Sequence, residues 1–191
     1  MLYETHITVE PHDVERWKAF CLKANIKPLL ILLSAGDYPL HMMCSAPFRG
    51  PERVLSMHLA ALEEEICRSG FSVLRVKPEI ALGSGRFIRG RVAYYECHMK
   101  LVISGSQLAE LLLFSREHRL PISRNLLAGE HNGLQKWYLT TRLYNGSAIV
   151  AKKKFDRVLA DVRAAFPVQK MDTECAVYDT NPALDRGWIE T

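Results

Sequence analysis

A self-repeat constrains this chain more than any other feature of it. Tyr3-Glu4-Thr5-His6 recurs as Tyr95-Glu96-Cys97-His98, and the agreement continues downstream: Pro28 is answered by Pro121, Gly36 by Gly129, the Arg49-Gly50-Pro51 turn by Asn145-Gly146-Ser147, and Glu79 by Glu174. These pairs lie 92 to 96 residues apart in a chain of 191. Self-similarity at near-constant spacing marks a duplicated unit, so the two halves must share one fold. At this length folding buries on the order of 70% of the unfolded chain's surface, enough for a sizeable core.

Within the first half, Leu2 to Glu10 alternates and carries Tyr, Ile, Thr and Val, which predicts a strand. Pro11-His12-Asp13 supplies a turn and a helix start, and Val14, Trp17, Cys21 and Ala24 follow at helical spacing. Pro28 to Leu33 and Tyr38 to Ser45 read as a hairpin around Ser34-Ala35-Gly36-Asp37. The stripe Leu55, Leu59, Leu62 and Ile66 predicts a second helix, stopped by Gly70, and Phe71 to Ala81 a fourth strand. The second half repeats the order: strands over Tyr94 to Ser104, Pro121 to Leu127, Gln135 to Leu143 and Val168 to Asp179, with helices over Ser106 to His118 and Ser147 to Ala165. Strand, helix, strand, strand, helix, strand is the split βαβ unit. The expectation is therefore an α+β chain of tandem duplicated ferredoxin-like (βαββαβ) units forming a pseudo-dimer. The first ferredoxin-like repeat takes 1–81, a Gly/Arg-rich linker 82–91, the second repeat 92–179, and a C-terminal tail 180–191 docks on the body through Trp188.

Composition excludes several classes. A hydrophobic fraction of 48% with 24% charged residues is ordinary for a globular chain and argues against disorder. The net charge of +4 admits a phosphorylated small molecule or RNA as partner without demanding one. The five cysteines contain no Cys-x-x-Cys pair, which disfavours a zinc ribbon or a complete disulfide framework. Cys21 and Cys67 fall on apolar helical faces, and Cys97 and Cys175 on inward strand positions. The amino-terminal residues lack a basic region followed by an apolar run, and no stretch approaches ~18 uninterrupted apolar residues, so the expected setting is cytoplasmic with no membrane contact.

Strand parity assembles the candidate site. Residues two apart share a face, so Glu4 and His6 project together, opposite Tyr3, Thr5, Ile7 and Val9, which belong under the helices. On the fourth strand Arg75, Lys77 and Glu79 share the open face; on the fifth, Glu96, His98 and Lys100; on the last, Lys170, Asp172 and Glu174. If the two open faces meet across an inter-repeat cleft, two histidines and four glutamates converge. Such a cleft suits a phosphate-ester or nucleotide/RNA-directed hydrolase: His6 and His98 exchange protons, Glu4 and Glu96 or their fourth-strand counterparts Glu79 and Glu174 orient them, and Lys100 with Arg75 or Lys77 holds the anion, with no cofactor required. A divalent-metal site built from His6, Glu79, His98 and Glu174 is a second reading. The third is a non-catalytic scaffold for a ligand or protein partner, in which the same charges form an ion-pair network. The stretch Arg142 to Ser147 places a basic residue near a glycine and free helix amides, an arrangement that attracts anions but also describes an ordinary capped turn.

The His6-Ile7-Thr8-Val9 stretch resembles the His-x-Thr motif of the two-histidine phosphoesterases, bilobal enzymes that cleave cyclic phosphates and RNA ends. In the second half His98-Met99-Lys100 puts Lys where that motif has a hydroxyl residue. A tandem ferredoxin-like chain with a basic glycine-rich loop also looks like CRISPR repeat-RNA-processing proteins, although here the loop lies between the repeats. From the Tyr-Glu-x-His openings to Val177-Tyr178-Asp179-Thr180-Asn181 and Ala183-Leu184-Asp185-Arg186-Gly187-Trp188-Ile189, the chain resembles an uncharacterised bacterial two-repeat family, which implies a bacterial setting and no particular activity.

Overall fold

Alternation and capping produce the elements in the order expected. In a computed structural model that describes residues 1–83, 92–130 and 132–189, strand β1 (Leu2–Val9) buries Tyr3, Thr5, Ile7 and Val9 on one face. Helix α1 (Val14–Lys23) starts where the Asp13 carboxylate accepts the Arg16 amide, and it buries Trp17 and Cys21. Strands β2 (Lys27–Leu33) and β3 (Leu40–Arg49) form the hairpin. Helix α2 (Glu52–Arg68) follows extended Pro51, buries its leucine stripe, and stops before Gly70, whose φ of +81° suits glycine. Strand β4 (Val73–Ala81) completes the half. The second half runs β5 (Tyr94–Ser104), α3 (Leu108–Glu117), β6 (Ile122–Asn125), β7 (Leu134–Leu143), α4 (Ala148–Ala165) and β8 (Val168–Ala176), with a 3-10 turn over Pro182–Asp185 in the tail. Most of the expected linker, 84–91, falls outside the described residues.

The eight strands form one closed, wholly antiparallel barrel in the order β1-β3-β2-β6-β7-β5-β8-β4. This corrects the expectation of two ferredoxin-like units docked as a pseudo-dimer. The strand order is the same in both halves, but the halves are joined edge to edge. β2 pairs β6 through Ile31–Asn125 to Leu33–Ser123, and β4 pairs β8 through Glu79–Ala176 to Ala81–Glu174. The reason lies in the edges: in a separate four-stranded sheet, β2 and β4 would leave a row of amides and carbonyls unpaired, and closure satisfies them. Further bonds stitch the seams, from Leu30 N–H to Asn125 Oδ1 at 3.2 Å and from Leu82 N–H to the Thr173 carbonyl at 2.8 Å.

Closure also decides where the two faces go. The helix-facing sides carry two apolar cores, one joining Trp17, Leu59 and Ile66 to Ile7, Met42 and Val76, the other joining Leu111, Phe155 and Val162 to Met99, Leu101 and Leu139. The faces expected to meet across a cleft turn inward instead and line a single lumen. Cys67, expected on an apolar face, is exposed, whereas Cys21, Cys44, Cys97 and Cys175 are buried. Among the described residues no helix is long and apolar enough to cross a membrane.

Candidate functional site

An eight-stranded barrel is just wide enough for side chains to fill it, and here the filling is ionic. One end is closed by the tail. Arg75, projecting from β4, donates to Asp179 Oδ2 at 2.6 Å, to both Asp185 oxygens at 2.9 Å and to the Tyr94 hydroxyl at 3.1 Å. Arg142, from β7, donates to Glu96 at 2.6 Å and to Asp185 at 2.7 Å, with its guanidinium 4.1 Å from the centre of the Tyr94 ring. Burial opposes the ionisation of Asp185, but the two arginines outweigh it and hold its pKa below the usual carboxylate value. Arg75, expected to hold a substrate anion, is therefore committed to the tail. Arg142 belongs to the lumen and not to a phosphate-binding turn. Its signal was available, since Leu139 facing the helices places Thr140 and Arg142 on the opposite side of β7.

The register shows how the repeat is oriented. Arg75 lies across from Thr8 of β1, and Arg142 across from Glu96 of β5; both hold Asp185. The closed end thus lies at Thr8 in the first half but at Glu96 in the second. Glu4 and Glu96, equivalent in sequence, have opposite fates, with side chains 53% and 0% exposed.

Between the closed end and the open one runs a continuous ionic path. His6 Nδ1 lies 3.0 Å from Glu79 Oε2, Lys77 Nζ lies 2.9 Å from Glu79 Oε1 and 3.0 Å from Glu96 Oε2, and Glu96 Oε2 lies 3.4 Å from His98 Nε2. The two histidines are linked through Glu79, Lys77 and Glu96, so Lys77 is a strut between carboxylates and not a free anion holder. Neither Glu79 oxygen receives a well-aligned hydrogen bond, so this carboxylate is held by charge alone. Burial raises its pKa, but Lys77 and His6 bring it down to about 2. Burial lowers the His6 pKa, and contacts with Glu4 and Glu79 more than reverse this, to about 9. His98 is likewise disfavoured as a cation by burial and raised on balance by Glu96. Both rings keep some access to solvent, with side chains 18% and 24% exposed.

Two carboxylates complete the open side. Glu4 lies 3.6 Å from His6 Nε2 and accepts the Ser45 hydroxyl at 2.6 Å; chiefly through His6 its pKa falls to about 2. Glu174 is different. Its Oε2 is buried without a hydrogen-bond partner, 3.9 Å from His98 Nε2, and burial reinforced by the Glu79 charge raises its pKa to about 7. The Nδ1 of His98 meets the Thr140 hydroxyl at 3.0 Å, which fixes the ring. Lys170, paired with Asp172 at 2.8 Å, lies across from Lys100 at the same end.

The structure thus groups His6 with Glu4 and Glu79, and His98 with Glu96 and Glu174. It removes Arg75 to the plug and Lys77 to the bridge, and it adds Arg142, Tyr94, Thr140, Ser45, Asp179 and Asp185. For the metal reading, no three His, Cys, Asp or Glu side chains among the described residues are placed to hold one ion. Chemically, the open side offers one carboxyl poised near neutrality beside an imidazolium, a pair able to take and give protons at physiological pH. No protein-family model matches this chain, and no curated protein matches it.

Proposed function

We propose that the open side of the barrel is an acid–base site for hydrolysis of a small phosphate ester. The observation that carries this reading is Glu174: a buried carboxylate oxygen without a partner, 3.9 Å from His98, in a lumen where the other carboxylates are neutralised by neighbouring cations. In this reading Glu174 accepts a proton from the water that attacks phosphorus, and the His98 imidazolium donates one to the departing ester oxygen. The positive charge held on His6 by Glu79 complements the phosphoryl oxygens, as do Lys100 and Lys170 at the rim. Glu4 and Glu96 keep the two rings charged and oriented.

The test is turnover of bis(p-nitrophenyl) phosphate and of 2′,3′-cyclic nucleotides by wild type, H98A, E174Q and H6A. Loss of about 10²-fold or more in H98A and E174Q, with folding unchanged, is expected from groups that transfer protons. A second reading draws on the path His6–Glu79–Lys77–Glu96–His98, whose charges are largely satisfied among themselves, as a binding scaffold requires. Turnover unaffected in H98A, or no turnover of any ester together with a loss of stability in the histidine variants, assigns the lumen to structure and overturns the hydrolase reading.

A further inference from the structure

Alongside the barrel, α3, α4, the tail and residues 140–142 of β7 line a groove of about 1340 Å³. Its charge is one-sided. Arg116, Arg119, Arg142, Lys154 and Arg186 line it, and no Asp or Glu is among the described residues that do. Arg142 is held by Glu96 and Asp185, but the other four form no ion pair among the described residues, whereas Arg68, Arg124 and Lys152 on the same molecule each have a carboxylate partner. Lys154 makes its hydrogen bond to a neutral group, the Arg142 carbonyl, at 2.6 Å, and burial lowers its pKa. Arg119 stands just beyond the end of α3 with φ +51°, a left-handed position where glycine or asparagine is the usual residue.

The remaining wall is apolar and aromatic. Leu112, Leu120 and Val158 contribute aliphatic surface, and Trp188 an indole whose Nε1–H donates to the Ile122 carbonyl at 3.0 Å. That bond ties the ring to β6 and gives the groove a fixed aromatic surface. Cations gathered on one concave wall add their fields over it. Guanidinium groups match phosphate oxygens two at a time, and an indole or aliphatic wall suits the flat face of a base. The volume exceeds the roughly 300–1,000 Å³ usual for small-molecule pockets, which leaves room for a base, a sugar and several phosphates together.

We propose that this groove binds an organic polyphosphate of the nucleotide class, its phosphates among Arg116, Arg119, Lys154 and Arg186 and its base against Trp188. A nucleotide is favoured over a nucleic-acid strand because the tail from Pro182 to Ile189 walls one side and the volume suits one such molecule.

The experiment is calorimetric titration of the full chain with ATP, with adenosine, and with a short oligouridylate, repeated on R119S, on R116S/R119S/R186S and on H98A. All three arginines are exposed, so the variants keep the fold, which a thermal melt verifies. Saturable ATP binding at one site per chain is expected, weakened about tenfold or more in R119S and abolished in the triple variant, with adenosine at least tenfold weaker and H98A indistinguishable from wild type. Absence of saturation at millimolar ATP overturns the proposal, as does affinity unchanged in the triple variant. Binding of the oligonucleotide without ATP binding overturns it in favour of a nucleic-acid surface, and loss of ATP binding in H98A moves the nucleotide into the lumen.

Discussion

Replacing Asp185 by Ala tests the electrostatics of the closed end directly. Its buried carboxylate receives Arg75 Nη1 and Nη2 at 2.9 Å each and Arg142 Nη2 at 2.7 Å. Alanine removes those three charge-assisted bonds and leaves Arg75 with Asp179 and Arg142 with Glu96, one carboxylate for each guanidinium. Breaking a buried pair by deleting one partner costs ~3–5 kcal/mol. The surviving carboxylates place D185A at the lower end, ~3 kcal/mol. For a chain of this size 1 kcal/mol shifts Tm by ~2–4 °C, so the melt should fall by ~6–12 °C. D185N keeps the shape and an acceptor but not the charge, and should lie between wild type and D185A. D156A, which removes the exposed Lys152–Asp156 pair on α4, should cost ~0.3–0.5 kcal/mol and calibrates a surface contact. Urea denaturation at pH 7, with m-values compared, measures all three. A D185A loss below ~1 kcal/mol would refute the view that the tail carboxylate neutralises two buried guanidiniums.

Glu174 titrates near 7 in the folded chain against an ordinary 4.5, so it favours folding fully only below pH 4.5 and loses that contribution as pH rises through 7. E174Q should therefore gain stability relative to wild type across that window in urea melts, and a flat difference contradicts the burial argument. His6, raised to about 9 from 6.5, contributes stability that is full below pH 6.5 and is lost as pH rises through 9, which H6A should abolish. A thiol reagent such as DTNB should modify Cys67 quickly and the four buried cysteines only on unfolding; more than one fast thiol contradicts the packing described. At Gly36, with φ +107°, a Cβ would stand 2.9 Å from the Arg186 carbonyl, so G36A should loosen the tail, read as faster proteolysis after Asn181.

Element order and strand parity were legible in the residues because burial enforces them: Ile7 and Val9 must face helices, which sends His6 the other way, and Leu139 does the same for Thr140. Closure was not legible. The seam pairs Leu32 with Arg124 and Leu33 with Ser123, residues that carry no mark of being partners, because backbone groups make the contact and any side chains can flank it. The plug was hidden for a related reason: Asp179 and Asp185 reach Arg75 across 104 and 110 residues of chain. Parity therefore brought Arg75 and Lys77 to the correct face and left their availability unknown, since a charge reads the same in sequence whether it awaits a substrate or already holds a neighbour. Cys67 misled because it follows Ile66 directly, and one step around a helix carries a side chain off the apolar stripe.

The tail gives the tube a polarity that the reversed orientation of its two repeats could not supply. A doubled unit joined edge to edge makes a vessel with two equivalent ends, each offering a Glu-x-His strand to the solvent. One short segment after β8 occupies one of those ends, and equivalent residues then live under different laws: the first repeat's glutamate is a rim group in water, the second's a buried counter-ion. Each half is thereby released from having to serve both roles. Substitutions at Glu4 change the charge of an open rim, and substitutions at Glu96 bear on whether the barrel stands.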